Sequence, residues 1–209
     1  MTDAPAVDNL KDFHFSLVLA RSPNPSPLHL KTLNRHWQKA EVILQQIACR
    51  CYEWNPRGMS VYVAATPAYR YDFLSPAQLE LVFEQNYTPS KLNLCAALEM
   101  VFQDYFFRRG HPKNTCAGEI TIVILDQEPE ERQKLMRLLV DTTRRLHHEH
   151  ELGVLFAQLG EDTITQGFLK ALDDDLHRAG ARHDIVDAQH LLNLTPAGID
   201  QFLLNALID

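Results

Sequence analysis

Glycine is scarce in this chain, with 8 residues among 209 against 11 prolines. That shortage argues against phosphate-cradling loops, because glycine is what lets backbone N–H groups approach a phosphate. No Gly-x-Gly-x-x-Gly and no Gly-x-x-x-x-Gly-Lys occurs, and prolines fill the stretch Ala20-Arg-Ser-Pro-Asn-Pro-Ser-Pro27, where a dinucleotide fingerprint needs glycine. A Gly-x-Ser-x-Gly nucleophile elbow is also missing. Ser22 is followed by Pro23, with no histidine obviously placed to activate it.

Long apolar runs are missing too. No stretch approaches the ~20 residues needed to span a bilayer, so no transmembrane helix is expected. The opening MTDAPAVDNLKD has neither a basic start nor an apolar core, so no secretory signal is expected and a cytoplasmic setting is the default reading. Basic charge is in deficit, with 20 Lys and Arg against 27 Asp and Glu, a formal net charge of -7. Such a chain is a poor general ligand for nucleic acid, where affinity comes from neutralising phosphates. The four cysteines, Cys49, Cys51, Cys95 and Cys116, match no zinc or redox spacing. They read as reduced thiols packed as small hydrophobes.

What is present is alternation. Short apolar runs lie at 15–20, 60–65, 119–125, 153–159 and 183–187, and several are apolar on consecutive residues, as in strands buried on both faces. Helical patterns lie between them. Asn34 to about Trp54 sets Trp37, Ala40, Leu44, Ile47 and Cys51 on one stripe, and Asn93 to Arg109 carries Leu94, Leu98, Val101, Phe102 and Tyr105. Pro129 to about His150 opens with acids suited to a helix N-terminus. Thr163 to Arg178 runs up to Gly180, and Thr195-Pro196 reads as a cap opening a last helix.

Strand–helix alternation implies an α/β sheet covered on both faces. Ala68 to Phe73 follows the second strand after only Thr66-Pro67, which permits a hairpin but no crossover. This segment is therefore expected as a short antiparallel edge strand, with Tyr69, Tyr71 and Phe73 sharing one face against the flank of a helix. Residues 1–11 are expected as a flexible segment and 12–209 as one domain. His147, His148, His150 and Glu151 read as the solvated end of a helix.

Ligands of open α/β sheets bind beyond the C-terminal strand ends. The loops there are Ala20 to Pro27, Thr88 to Leu94 and Asp126 to Glu131. In those loops, and in Leu17-Val-Leu-Ala-Arg-Ser-Pro-Asn24, Leu92-Asn-Leu-Cys-Ala-Ala-Leu98, Ile122 to Glu131, Glu151-Leu-Gly-Val-Leu-Phe-Ala-Gln-Leu-Gly160, Phe168 to Leu176 and Asp184-Ile-Val-Asp187, the chain resembles a von Willebrand factor A-type domain of the bacterial intracellular kind. The likeness runs from about Phe13 to the end. It implies a doubly wound, mostly parallel six-stranded sheet of order 3-2-1-4-5-6, with strand 3 antiparallel at the edge and helices on both faces.

The resemblance also implies a metal-ion-dependent adhesion site of the form Asp-x-Ser-x-Ser, with a Thr opening a later helix and an Asp after the fourth strand. Here the first Asp position holds Ala20. The first Ser is kept as Ser22, the second position holds Asn24, the Thr position holds Leu92, and the last Asp is kept as Asp126. Magnesium wants near-octahedral oxygen ligation, and this set has lost a carboxylate and a hydroxyl. No metal and no cofactor are expected. Asp126 is expected either to cap its helix or hydrogen-bond the Pro-rich loop, or, in a sharper reading, to be neutralised by Arg21 or Lys91 in place of the ion, so the candidate binding face is Arg21, Ser22, Asn24, Lys91 and Asp126. The function this implies is a non-enzymatic protein-interaction module with an unidentified protein partner. The alternative is a metal-dependent binder with a residual Mg or Mn site at Ser22, Asn24 and Asp126. A Rossmann-like enzyme stands behind both.

Overall fold

The computed structural model describes residues 7–23, 27–85 and 91–208. The strands are β1 (Phe13–Ala20), β2 (Met59–Val63), β3 (Tyr69–Leu74), β4 (Gly118–Leu125), β5 (Leu152–Gln158) and β6 (Val186–His190). The helices are α1 (Pro27–Trp54), α2 (Pro76–Glu84), α3 (Leu94–Arg109), α4 (Arg132–Thr143), α5 (Thr163–Asp175) and α6 (Ile199–Asn205). The strands form one six-stranded sheet of order β3-β2-β1-β4-β5-β6. All neighbours are parallel except β2 and β3, which pair antiparallel. This is the expected α/β architecture, with the expected hairpin at the edge. Among the described residues no helix is long and apolar enough to cross a membrane.

The pleat divides the sheet into two cores. On one face Phe13, Phe15 and Leu17 of β1 pack with Trp37, Ala40 and Leu44 of α1, Leu79 of α2 and Phe202 of α6. On the other, Val18, Tyr62 and Val123 pack with Leu98 of α3, Leu139 of α4 and Leu169 of α5. Helices thus cover both faces, as the runs of consecutive apolar residues require. β5 needs Gly153, because a Cβ there would meet the Ala206 carbonyl oxygen at 2.1 Å.

Several boundaries differ from the sequence reading. α1 starts at Pro27 rather than near Asn34, a start proline tolerates because the first-turn N–H groups have no intrahelical partner. α2 was not foreseen. Its signature is Ser75-Pro76-Ala77-Gln78, and the Gln78 Oε1 accepts the Ser75 N–H at 2.9 Å. α4 is shorter at both ends than 129–150. Its last turn closes with Thr142 and Thr143 hydroxyls bonded to the carbonyls of Leu138 and Val140. His147, His148 and His150 therefore lie in the following turn and 3-10 segment, not on a helix end. β6 begins three residues beyond its expected start at His183, because the Asp184 carboxylate holds the Val186 N–H in a local turn.

Of the segment expected to be loose, residues 7–11 lie in a 3-10 helix, and Leu10 is fully buried. The aromatic face of β3 breaks at Phe73, where φ is +53° and the register slips between Met59 and Val61. Tyr71 faces the α1-side core, while the Phe73 ring meets His14 on the opposite side at 6.0 Å. The thiols are all free, but only Cys51 and Cys95 are buried; Cys49 is exposed.

Candidate functional site

β1 and β4 run side by side in register, Ala20 opposite Leu125, so Arg21 and Ser22 emerge next to Asp126. Both Ser22 and Asp126 are buried, at 3% and 9% exposure. The Ser22 backbone N–H donates to the Asp126 carboxylate, 3.0 Å from Oδ1 and 3.2 Å from Oδ2. A second donor comes from α1, where the Trp37 indole Nε1–H reaches Oδ2 at 2.8 Å. Burial pushes the Asp126 carboxyl above its ordinary range, and the Trp37 and Ser22 donors pull against that rise without cancelling it.

Arg21 does not take the place expected for the ion. Its guanidinium donates to Asn34 Oδ1 at 3.1 Å and sits 5.5 Å from the centre of the Trp37 ring. The indole is therefore layered between cation and carboxylate, with its face toward Arg21 and its N–H toward Asp126. Lys91 is exposed just ahead of α3. Asn24 lies outside the described residues. The structure thus joins Ser22 and Asp126 directly and brings Arg21 beside them through Trp37.

These residues do not fit a divalent ion. Both oxygens of Asp126 are already faced by N–H donors, which present positive charge where a metal would have to bind. Ala20 is packed in the α3-side core, and Leu92 packs against the same cluster, so neither position offers oxygen. Among the described residues no group of three His, Cys, Asp or Glu side chains is placed to hold an ion.

The opposite end of the sheet holds a second polar centre that sequence reading missed. Glu119, the second residue of β4, is completely buried. Its carboxylate accepts the Ser16 hydroxyl at 2.6 Å and pairs with Arg108 near the end of α3. Beside it, His14 Nε2 lies 3.2 Å from the Ser60 hydroxyl. Burial, aided by the charges of Arg108 and Arg57, lowers the His14 imidazole to about 3. Glu151 belongs to this end as well. It is buried, accepts the Tyr105 hydroxyl at 2.9 Å and also takes the His147 N–H, so it is no part of a solvated patch. The cavity that touches His14, Arg108 and Glu119 is about 30 Å³, room for little more than one water.

Both misses carried a sequence signal. Trp37 heads the inner stripe of α1, and a buried indole N–H needs an acceptor. Glu119 opens a run of apolar residues in a strand buried on both faces, where a charge requires a partner.

No family model matches the chain, and no curated protein matches it. Among solved structures it is similar to proximal thread matrix protein 1 of the mussel byssus, with a TM-score of 0.49 and 9% identity over 93% of this chain. The chain spans 47% of that protein's length.

Proposed function

We propose that the protein is a non-enzymatic protein-interaction module of the von Willebrand A kind, whose Asp126 face engages a partner without a metal ion. The observation that carries this reading is the internal satisfaction of Asp126 by the Ser22 amide and the Trp37 indole. A carboxylate held by protein donors ties Ser22 to Trp37 of α1 in one arrangement, and that arrangement needs no ion. The absence of glycine loops and nucleophile elbows supports a binding role over a catalytic one. So does the state of the one buried Ser–His contact, Ser60 with His14. It opens onto no substrate-sized cavity, and an imidazole lowered to about 3 is a feeble base.

The experiment is affinity capture with the tagged protein, in millimolar Mg²⁺ and again in chelator, alongside Asp126→Ala and Arg21→Ala variants. The expected outcome is a partner retained equally in both buffers and lost with the variants. Capture that requires Mg²⁺ or Mn²⁺, together with a cation-dependent rise in melting temperature, would establish the metal-using alternative instead.

A further inference from the structure

A concavity starts at Gln38, next to Trp37 on α1, and runs away from the Asp126 face. It is a groove of about 880 Å³ along the outer surface of α1, walled by α2 on one side and by the 196–200 turn into α6 on the other. Its floor runs from Gln38 to Glu53, which at 1.5 Å per residue is roughly 22 Å, or about four helical turns. Val42 stands 61% exposed on that floor, Cys49 is exposed about two turns further on, and Phe83 and Ile199 supply apolar walls.

The charge around this apolar floor is one-sided. Glu41, Glu53, Glu80, Glu84 and Asp200 line the groove against a single base, Arg50, a net of -4 from five carboxylates and one guanidinium. The whole chain carries -7, so more than half of its excess negative charge is gathered here. Arg50 is already engaged, bidentate to Asp200 at 2.7 Å on each arm and also bonded to Glu53. Glu80 and Glu84 stand on the α2 wall without such neutralisation among the described ion pairs. Burial raises the Glu41 carboxyl, which an incoming cation would offset. Gln45 adds a directional feature. Its Nε2 donates to the Pro76 carbonyl at 2.9 Å, and its buried Oε1 has no hydrogen-bond partner.

We propose that this groove docks a basic amphipathic helix from a partner protein, lying along α1 with apolar side chains against Val42 and Phe83 and Lys or Arg side chains against Glu80, Glu84 and Glu53. The length fits a helix of about four turns, laid with its apolar side chains on Val42, Phe83 and Ile199. Acidic walls select the sign of the partner by complementarity and hasten its encounter. The same walls repel nucleic acid phosphates and anionic lipid surfaces. The proposal does not rest on the Asp126 reading, and the two fail separately.

The test uses the intact protein and two synthetic peptides of about 18 residues, one Leu/Lys and one Leu/Glu, each with leucines at i, i+3, i+4 and i+7. Binding is read by calorimetry and by protection of Cys49 from a maleimide, with the half-exposed Cys116 as internal reference. The expected result is binding of the Leu/Lys peptide, protection of Cys49 but not Cys116, and at least a tenfold loss of affinity in Glu80→Gln/Glu84→Gln. A control that neutralises Glu161 and Asp174, acids exposed elsewhere, should leave affinity within twofold. Equal loss in the control, no protection of Cys49, or equal binding of the Leu/Glu peptide would overturn the proposal. So would a concentration-dependent dimer in sedimentation that protects Cys49 and is abolished by Val42→Lys, because the occupant would then be a second copy of the chain.

Discussion

Strand β4 carries a buried carboxylate at each end, and the two are held in different ways. Glu119, at the start, meets a hydroxyl from Ser16 and the guanidinium of Arg108. Asp126, just past the end, meets neutral dipoles in its described contacts, from the Ser22 amide and hydroxyl and the Trp37 indole. Burial pushes both carboxyls up, and the partners of each pull against that rise. Under the proposed function, the difference separates a structural end from an interactive one. A charge answered by a charge deep under α3 locks strand and helix together and leaves no open surface. A charge answered by dipoles at the rim ties Ser22 to α1, at the face proposed to meet a partner.

The largest expected effect lies at the structural end. Glu119→Ala would leave Arg108 facing a buried, empty position and would unbond Ser16. Breaking a buried pair typically costs 3–5 kcal/mol, and Arg108, whose side chain is 26% exposed, can relax toward water, so a loss of about 3 kcal/mol is expected. Urea denaturation checks it. A loss no larger than that of Asp126→Asn would erase the contrast drawn between the two ends.

Acid sharpens the same contrast. In the unfolded chain His14 titrates near 6.5, whereas in the fold it is lowered to about 3 by burial first and by Arg108 and Arg57 next. Between those values the unfolded chain binds a proton that the native state refuses. The His14 contribution is therefore complete above 6.5 and is lost as pH falls toward 3. The slope is at most about 1.4 kcal/mol per pH unit. His14→Gln, which keeps a polar atom near Ser60 without a titrating ring, should flatten the acid limb of a stability–pH curve by about 2 kcal/mol over two units. Parallel curves for parent and variant would place the acid sensitivity elsewhere.

The fold was legible because periodicity reports burial. Ile122, Val123 and Ile124, apolar in succession, required cover on both faces, and all three are fully buried. The Thr66-Pro67 spacing required a hairpin, and β3 is antiparallel. α2 escaped because its evidence is a cap, Ser75 with Gln78, rather than a long stripe. The candidate site was legible only in part. The family resemblance implied Ser22 beside Asp126, but the donor that completes the arrangement is Trp37, far off in sequence on a helix whose stripe reads simply as core. A charge in need of a partner does not announce whether that partner is a cation or a dipole. A bond from the loop after β1 was one expectation and the Ser22 amide supplies it, whereas Arg21, the other, has its guanidinium over the indole face.

Trp37→Phe tests that completion with little change in volume. It removes one N–H from Asp126 and leaves the ring in the α1-side core. Hydrogen bonds to charged groups contribute about 1.5–3 kcal/mol, and Ser22 remains, so a loss of about 1.5 kcal/mol is expected at neutral pH. The loss should shrink in acid. Removing a donor raises the Asp126 carboxyl further, and a carboxyl raised in the fold favours the native state only while it holds its proton, with that benefit lost as pH rises. A penalty independent of pH would mean that Trp37 acts through packing alone.

The smallest expected effect is a response to salt. If a guanidinium or ammonium balanced Asp126, replacing the carboxylate would cost more in dilute buffer than in concentrated salt, since the Debye length shrinks from about 30 Å at 0.01 M to about 3 Å at 1 M. Dipoles gain nothing comparable from dilution. Asp126→Asn should therefore destabilise the protein by an amount that changes no more than about 0.3 kcal/mol across that range. Asp200→Asn is the internal standard, because Asp200 pairs with Arg50 at 2.7 Å where both side chains are about one-third exposed. Its penalty, within the 0–1 kcal/mol of partly exposed pairs, should fall visibly as salt rises. If the two variants respond alike, a cation does act on Asp126, and the ion-free character of this face rests on Arg21 rather than on the Ser22 and Trp37 donors.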